Sequence, residues 1–383
     1  MDKIDELLTR IVANIIPGKA QLEQILRSGK KLNVYFGIDP TFTRIHLGNA
    51  VPLRKLQAFV EAGHNVTFLI GDFTALIGDT SDKNSERPVL TYEQIQTNFE
   101  SYKQQASKIV DFSKVSVRHN NEWLKKLGLE DVVKRTRHFS LNDFISRELI
   151  KRRLAEGNSV SLPEVLYPVM QGYDSYFMDT DIQIGGTDQT FNMQAGRTLQ
   201  KQLRGKESFV VVTKFPLEGT DGRKMSKSWG NAIWLDDETN DMFGKVMSIK
   251  DELLEEYFVL ATNIATPDLS RPMEAKKTLA WQIVSELHSP ADADKAQLEF
   301  ENTFQHGKVP GDIVTVKVHS KNLVDVLVEA GLAKSKSVAR RLVEQGGVQV
   351  NGQKILDLGF QVSSLDVIRI GRRFIKITLP STS

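Results

Sequence analysis

A chain of 383 residues, 40% apolar and 26% charged, has room for two or three domains with sizeable cores and the composition of an ordinary globular protein. The formal charge is only +2, and the basic excess gathers in the tail, where residues 321–383 hold ten Lys/Arg against five Asp/Glu, a pattern that points to an anionic partner there. The absence of cysteine excludes disulfides, thiolate zinc sites and cysteine nucleophiles and fits a reducing, cytoplasmic compartment, while the lack of any apolar run of bilayer length argues against a membrane partner.

The first residues, MDKIDELLTRIVANII, carry apolar positions at helical spacing with Asp2, Asp5 and Glu6 in the first turn, unlike the basic start of a signal or transit peptide. The next stretch, LNVYFGIDPTFTRIHLGN (32–49), is the one around which the rest of the chain is organised. Val34, Phe36 and Ile38 read as a buried strand that Asp39-Pro40 ends, because proline has no amide to give a sheet. His46 and Gly48 then fall in the first turn of a helix, whose free amides and positive dipole end suit phosphate. The imidazole can donate to a phosphate oxygen, and the glycine leaves space for a flat base and ribose. AVPLRKLQAFVEAG predicts an amphipathic helix ended by Gly63, with Leu53, Leu56, Phe59 and Val60 inward and Pro52 tolerated near its start. VTFLIGD (66–72) returns parallel. Residues 32–71 therefore read as a β-α-β unit of the doubly wound kind, in which ligands bind past the carboxyl ends of strands, where Asp39 and Asp72 lie.

The segment TALIGDTSDKNSER (74–87) places Asp79, Lys83 and Arg87 beside that end in a polar loop. Helices predicted at 92–111 and 141–155, with the strand-like VSVRH and a helical WLKKLG turn between them, make a block that interrupts the sheet. The helix at 163–178 sets Tyr167, Gln171 and Asp174 at i, i+4 and i+7, so three polar groups converge on one face amid apolar neighbours. IQIGGTDQTFNMQAG predicts a short strand, a glycine turn and a helix opening near Thr187 or Asp188, again able to face a nucleotide. SFVVVTKFPL is a further strand. It leads into EGTDGRKMSKSWGN, a loop with glycines at both ends that carries Arg223, Lys224 and Lys227.

KMSKS after a strand, about 180 residues beyond a His-x-Gly-Asn helix start, resembles the paired signatures of class I aminoacyl-tRNA synthetases, with Leu47 and Asn49 departing from the common His-Ile-Gly-His. Within that class the chain resembles the tyrosyl-tRNA synthetases over nearly its whole length, through YFGIDPT, GDFTALIGD, the Tyr167/Gln171/Asp174 face, QIGGTDQ and KMSKS. The resemblance implies an α/β fold: a doubly wound, Rossmann-like parallel sheet in a catalytic domain over 1–229, with a dimer-interface insertion at roughly 100–180. A helical anticodon-binding domain over 230–320 and a small α/β RNA-binding domain over 321–383 would come after it, in a homodimer.

It also implies substrates and roles. Tyr35 and Asp174 would hold the phenol of L-tyrosine; Asp79, Tyr167 and Gln171 its α-ammonium; and Gln189 its carboxylate or the ribose. Asp39, Thr41, His46, Gly48, Asn49, Gly186, Asp188 and Lys227 would meet ATP, with Mg²⁺ accompanying it and no metal site in the protein itself. Thr41, His46, Asn49, Lys83, Arg87, Lys224 and Lys227 would act in catalysis, and tRNA(Tyr) would receive the amino acid. The chemistry agrees with these roles. Telling tyrosine from phenylalanine requires buried polar groups that the wrong substrate leaves unpaired. Adenylate formation needs in-line positioning and charge stabilisation but no protein nucleophile.

Beyond the loop, 235–310 reads as mostly helical, and HGKVPGD (306–312) as a linker. The tail predicts two short helices, a Gly-Gly turn and strands, with Lys334, Lys336, Arg340 and Arg341 clustered, and resembles the RNA-binding domain first recognised in a small-subunit ribosomal protein. Two other readings stay open at this point: a related enzyme such as the tryptophan-specific synthetase or a smaller nucleotidyltransferase, and a non-enzymatic RNA-binding protein on the same scaffold. The phenol-binding set and the tail disfavour the first, and retention of His46, Asp79, Lys224 and Lys227 the second.

Overall fold

The β-branched and aromatic runs of the first half assemble into one six-stranded sheet: β1 (Val12–Ile16), β2 (Asn33–Ile38), β3 (Asn65–Ile70), β4 (Val115–His119), β5 (Ile182–Gly186) and β6 (Phe209–Thr213). The computed structural model describes residues 2–77, 90–214, 216–305, 314–371 and 373–380. The strands lie in the order β1-β6-β5-β2-β3-β4, all parallel except β1, which pairs antiparallel with β6 at the edge. From β2 the chain steps outward through β3 to β4, then returns to the other side of β2 for β5 and β6. The switch point thus falls between β2 and β5, where a doubly wound sheet opens a crevice beyond its strand ends. Strands β5 and β6 are buried at every position, as expected of parallel strands covered on both faces.

Helix Leu47–Glu61 crosses over between β2 and β3 and buries Leu53, Leu56, Phe59 and Val60 as predicted; it ends at Ala62, with Gly63 at φ +81°. Helices Leu162–Phe177 and Thr190–Arg204 pack closely because Gly172 has no side chain, and a Cβ there would press on the backbone of Ala195.

Two expectations are corrected. The N-terminal stretch is helical only over Lys3–Thr9; Ile11 takes φ +68°, and the β-branched residues after it form β1 instead. VSVRH does not interrupt the sheet but extends it as β4 beside β3, so the interrupting block is the run of helices from 121 to 177 between β4 and β5, and the predicted 141–155 helix is two, Leu141–Ile145 and Glu148–Ala155. By compactness the chain falls into one unit of 1–238 with 245–290 and a second of 239–244 with 291–383. Helices 254–287 join the first unit through specific ties. Arg10 donates to the carbonyls of Phe258, Thr262 and Ile264, and buried Arg54 forms a two-pronged pair with Glu286 at 2.6 and 2.8 Å.

In the second unit a five-stranded sheet, β7 (Val314–Lys317), β11 (Arg373–Thr378), β10 (Val367–Ile370), β8 (Val348–Val350) and β9 (Gln353–Lys354) in spatial order, packs with helices Leu323–Glu329 and Lys336–Glu344 around Leu327, Val343, Val348 and Ile368. The linker expected at 306–312 lies outside the described residues. Among those described, no helix is long and apolar enough to cross a membrane.

Candidate active site

Past the switch point opens a cavity of about 750 Å³. Tyr35, Asp39, Thr41, His46, Gly48, Asn49, Tyr167, Gln171, Asp174, Gly186, Asp188, Gln189, Lys224 and Lys227 all line it. Asp79, Lys83 and Arg87 fall within 78–89 and lie outside the described residues. Arg223, singled out with the two lysines, does not line the cavity; its guanidinium pairs with Asp221 and lies 4.7 Å over the Trp229 ring.

The deep end is built by the sheet. Tyr35 and Gln183 are register partners on β2 and β5, and the Tyr35 hydroxyl donates to Gln183 Oε1 at 3.2 Å. Gln183 Nε2 in turn donates to the Met193 carbonyl, and Gly196 provides the room its amide needs. Asp174, 2% exposed, accepts from Trp123 Nε1 at 2.7 Å and from Asn120 Nδ2 at 3.1 Å. Burial pushes its carboxyl up to about 8, with Asp39 and Asp72 adding to the shift while the two donors oppose it. Burial, and then the neighbouring Asp174, carries the Tyr35 phenol well above its ordinary value. Asp39 accepts from Tyr167 Oη at 2.8 Å and from Thr74 Oγ1 at 2.7 Å, and a Cβ at Gly71 would collide with both the Asp39 carboxylate and the Thr74 hydroxyl. Asn120 donates to Thr74 as well, so one network links Asp39 to Asp174. Asp72 supports it from below, accepting the Asn121 amide and meeting His119 Nδ1 at 3.1 Å.

The outer end is built by two segments far apart in sequence. His46 is the N-cap of helix Leu47–Glu61, and its Nδ1 accepts the Asn49 amide at 3.3 Å. Burial holds the imidazole down to about 4, with Lys227 and then Lys224 adding to it, so at neutral pH the ring is uncharged and its proton is assigned to Nε2. Gly48 lines the cavity and has a second reason to lack a side chain: a Cβ there would come within 3.2 Å of the His46 ring, so the glycine protects the capping imidazole. Leu47 N donates to Ile233 O and Leu235 N to Ile45 O, which fastens the His46 turn to the chain just beyond the lysine loop.

The loop is held by Asn231. Its Nδ2 donates to Asp221 Oδ1 at 2.8 Å and to the carbonyls of Arg223 and Lys224, while its Oδ1 accepts the Ser226 amide at 2.9 Å. Met225 is buried beneath the loop, and exposed Lys227 rests its Nζ against the Phe42 ring.

Sequence reasoning missed Thr74, Asn120, Trp123, Gln183 and Asn231. A signal existed for two of them. Asn120 and Trp123 come directly after VSVRH, and reading that stretch as a sheet strand places them at its carboxyl end beside Asp72. In the second unit, Lys334, Lys336, Arg340 and Arg341 are all exposed, with Lys336 paired to Asp325 at 2.7 Å.

Residues 27–305 match the family model of tRNA synthetases class I (W and Y), and 321–368 match the S4 domain. The chain is 41% identical over 387 residues to a tyrosine–tRNA ligase of Dehalococcoides mccartyi, covering 97% of each chain. It is 40% identical over 383 residues to one of Thermotoga maritima, covering 96% of this chain and 95% of the other. The fold is similar to that of a C-terminally truncated Aspergillus nidulans mitochondrial tyrosyl-tRNA synthetase, with TM-score 0.65, 22% identity, 79% of this chain and 93% of that one. It is also similar to a tyrosyl-tRNA synthetase from Archaeoglobus fulgidus complexed with L-tyrosine, with TM-score 0.59, 22% identity, 78% of this chain and 100% of that one.

Proposed function

The chain belongs to the class I tRNA synthetases of the W and Y family, and we infer that it is a tyrosine–tRNA ligase, joining L-tyrosine to ATP as tyrosyl-adenylate and then to tRNA. The observation that carries this reading is one cavity with two unlike ends: a buried carboxyl and a buried phenol suited to a hydroxyl, and a neutral histidine with two lysines where a triphosphate would lie.

Tyrosine enters ring first. Its phenolic proton is accepted by Asp174 in the ionised state that Asn120 and Trp123 favour, and Tyr35 donates to the same oxygen, turning from Gln183. Tyr167 and Gln171 receive the α-ammonium together with Asp79, and Asp39 orients Tyr167 through their hydrogen bond. Gln189 lies by the carboxylate, which attacks the α-phosphorus of ATP as pyrophosphate leaves. Gly48, Asn49, Gly186 and Asp188 line the adenosine. Thr41, His46 Nε2–H, Lys224 and Lys227, with Lys83 and Arg87, meet the growing phosphate charge. ATP arrives as its magnesium complex, the metal being part of the substrate.

We further propose a homodimer, supported by exposed Leu129, Val133, Leu141, Leu154, Leu162 and Phe177 on the helices between β4 and β5. Anticodon contact by helices within 230–320, grip of tRNA(Tyr) backbone by Lys334, Lys336, Arg340 and Arg341, and a cytoplasmic location complete the reading. The test is pyrophosphate exchange into ATP across the amino acids, followed by tRNA charging. Exchange that depends on tyrosine supports the reading, and exchange driven by tryptophan or by none overturns it.

A further inference from the structure

The turn between β2 and the His46 helix carries a cation that the ligase reading does not yet use. Arg44 and Trp234 both line the first cavity, and the Arg44 guanidinium lies 4.6 Å over the Trp234 indole. The same indole meets the His46 ring edge to face at 5.7 Å. Arg44 Nε donates to Asp236 Oδ1 at 2.8 Å, and Nη2 donates to Asp236 Oδ1 at 2.6 Å and to Asp237 Oδ1 at 3.2 Å. Asp237 is fixed in turn, accepting the Trp234 amide at 2.9 Å and Lys245 Nζ at 2.7 Å. Among the described residues, Nη1 is the one nitrogen of the Arg44 fork without a hydrogen-bond partner.

We propose that Arg44 is a further phosphate-binding residue, its Nη1 edge donating to the pyrophosphate portion of ATP, a proposal that rests on the tyrosine–tRNA ligase reading. Arg44 comes three residues after Thr41 and two before His46, which line the same cavity and are assigned to the phosphates. Its side chain is 42% exposed and so stands at the rim. The rim suits the part of ATP that must depart, whereas the α-phosphate has to meet the buried amino acid. The fork geometry explains the residue type: one edge is held by carboxylate and the plane by the indole, so the other edge is set before a ligand arrives and little rotamer freedom is left to lose. Asp236 and Asp237 are balanced by Arg44 and Lys245, so the cluster is neutral and the attraction comes from a directed hydrogen bond and not from a broad field. Exposure keeps that contribution modest.

The experiment uses the full-length enzyme with inorganic pyrophosphate as the probe. Arg44→Gln should raise the KM for pyrophosphate in tyrosine-dependent exchange about fivefold to tenfold and leave the tyrosine dissociation constant within about twofold. Transfer from preformed adenylate to tRNA, a step from which pyrophosphate has gone, should also stay within about twofold. Arg44→Lys keeps the charge but has no fork to divide between Asp236 and phosphate, so its KM should lie nearer that of Arg44→Gln than that of the parent. Asp236→Asn separates contact from bracing. With Asp237 still holding Nη2, the KM for pyrophosphate should stay within about twofold of the parent or fall. A loss there equal to that of Arg44→Gln would mean that Arg44 only braces the Trp234 segment, and it overturns the proposal. So does an unchanged KM in Arg44→Gln, or a loss confined to transfer, which would give Arg44 to tRNA. Absence of tyrosine-dependent exchange in the unsubstituted protein would instead overturn the ligase reading itself.

Discussion

The two ends of the first cavity solve opposite problems. At the phenol end the polar groups sit on β2, β5 and helix Leu162–Phe177, are buried, and are tied by hydrogen bonds to neighbours that are themselves tied. At the phosphate end the cations project from a surface loop and Lys227 is exposed. A rigid, dry environment makes an unpaired polar atom costly, which suits the choice between two amino acids that differ by one oxygen. Lysines on a surface loop suit charge that appears only in the transition state. Selectivity and rate are thus assigned to different materials within one cavity.

That division can be broken at either end. Asp174→Ala should have the largest effect on activity: the preference for tyrosine over phenylalanine, measured as the ratio of kcat/KM values in pyrophosphate exchange, falls by about 3–4 kcal/mol, roughly a few hundredfold, because the buried substrate hydroxyl loses its acceptor. Lys227→Ala should lower the rate of adenylate formation about a hundredfold while leaving the tyrosine dissociation constant within about twofold. Equal losses in both quantities would erase the distinction between the ends. Trp123→Phe, which removes the 2.7 Å donor to Asp174, should weaken tyrosine binding about tenfold and phenylalanine binding hardly at all, as read by equilibrium titration.

The comparison can also be sharpened through pH. The Asp174 carboxyl, raised from 3.8 to about 8, binds a proton more tightly folded than unfolded, so the folded state loses stability as pH climbs through that window. Asp174→Asn should therefore gain stability relative to the parent by at most about 1.4 kcal/mol per pH unit between those values, as followed by denaturant unfolding. His46 has the opposite sign. With its imidazole lowered to about 4, the parent loses stability as pH falls from 6.5 toward 4, and a His46→Gln variant should lack that acid-side loss.

The sequence made the phosphate end and one helix face legible because each is written locally. Tyr167, Gln171 and Asp174 share a face by periodicity alone, and His46 comes after a strand-breaking Asp-Pro. What supports them was not legible. Gln183 matters because it is the ladder partner of Tyr35, 148 positions away, and register is a property of the sheet and not of either segment. Gly48 was readable as a close approach, yet only coordinates reveal that one approaching group is the His46 ring, and nothing in the sequence marks Gly71 as the glycine that admits the Asp39 carboxylate. The edge strand β1 escaped because its apolar spacing is compatible with a helix until Ile11 turns the chain.

The clamp at Asn231 has a mechanical consequence. Just beyond it the backbone is fastened to the His46 turn by two amides, so the downstream end of the lysine loop cannot travel, and Gly230 at φ +68° stands where a pivot would be. Any swing of Lys224 and Lys227 as a body must release the carboxamide that grips three points of the loop backbone, together with the Gly219 N–Arg223 O and Met225 N–Leu217 O bonds. A side chain that lines no part of the cavity thus shares with the loop's own backbone the work of fixing where both lysines stand.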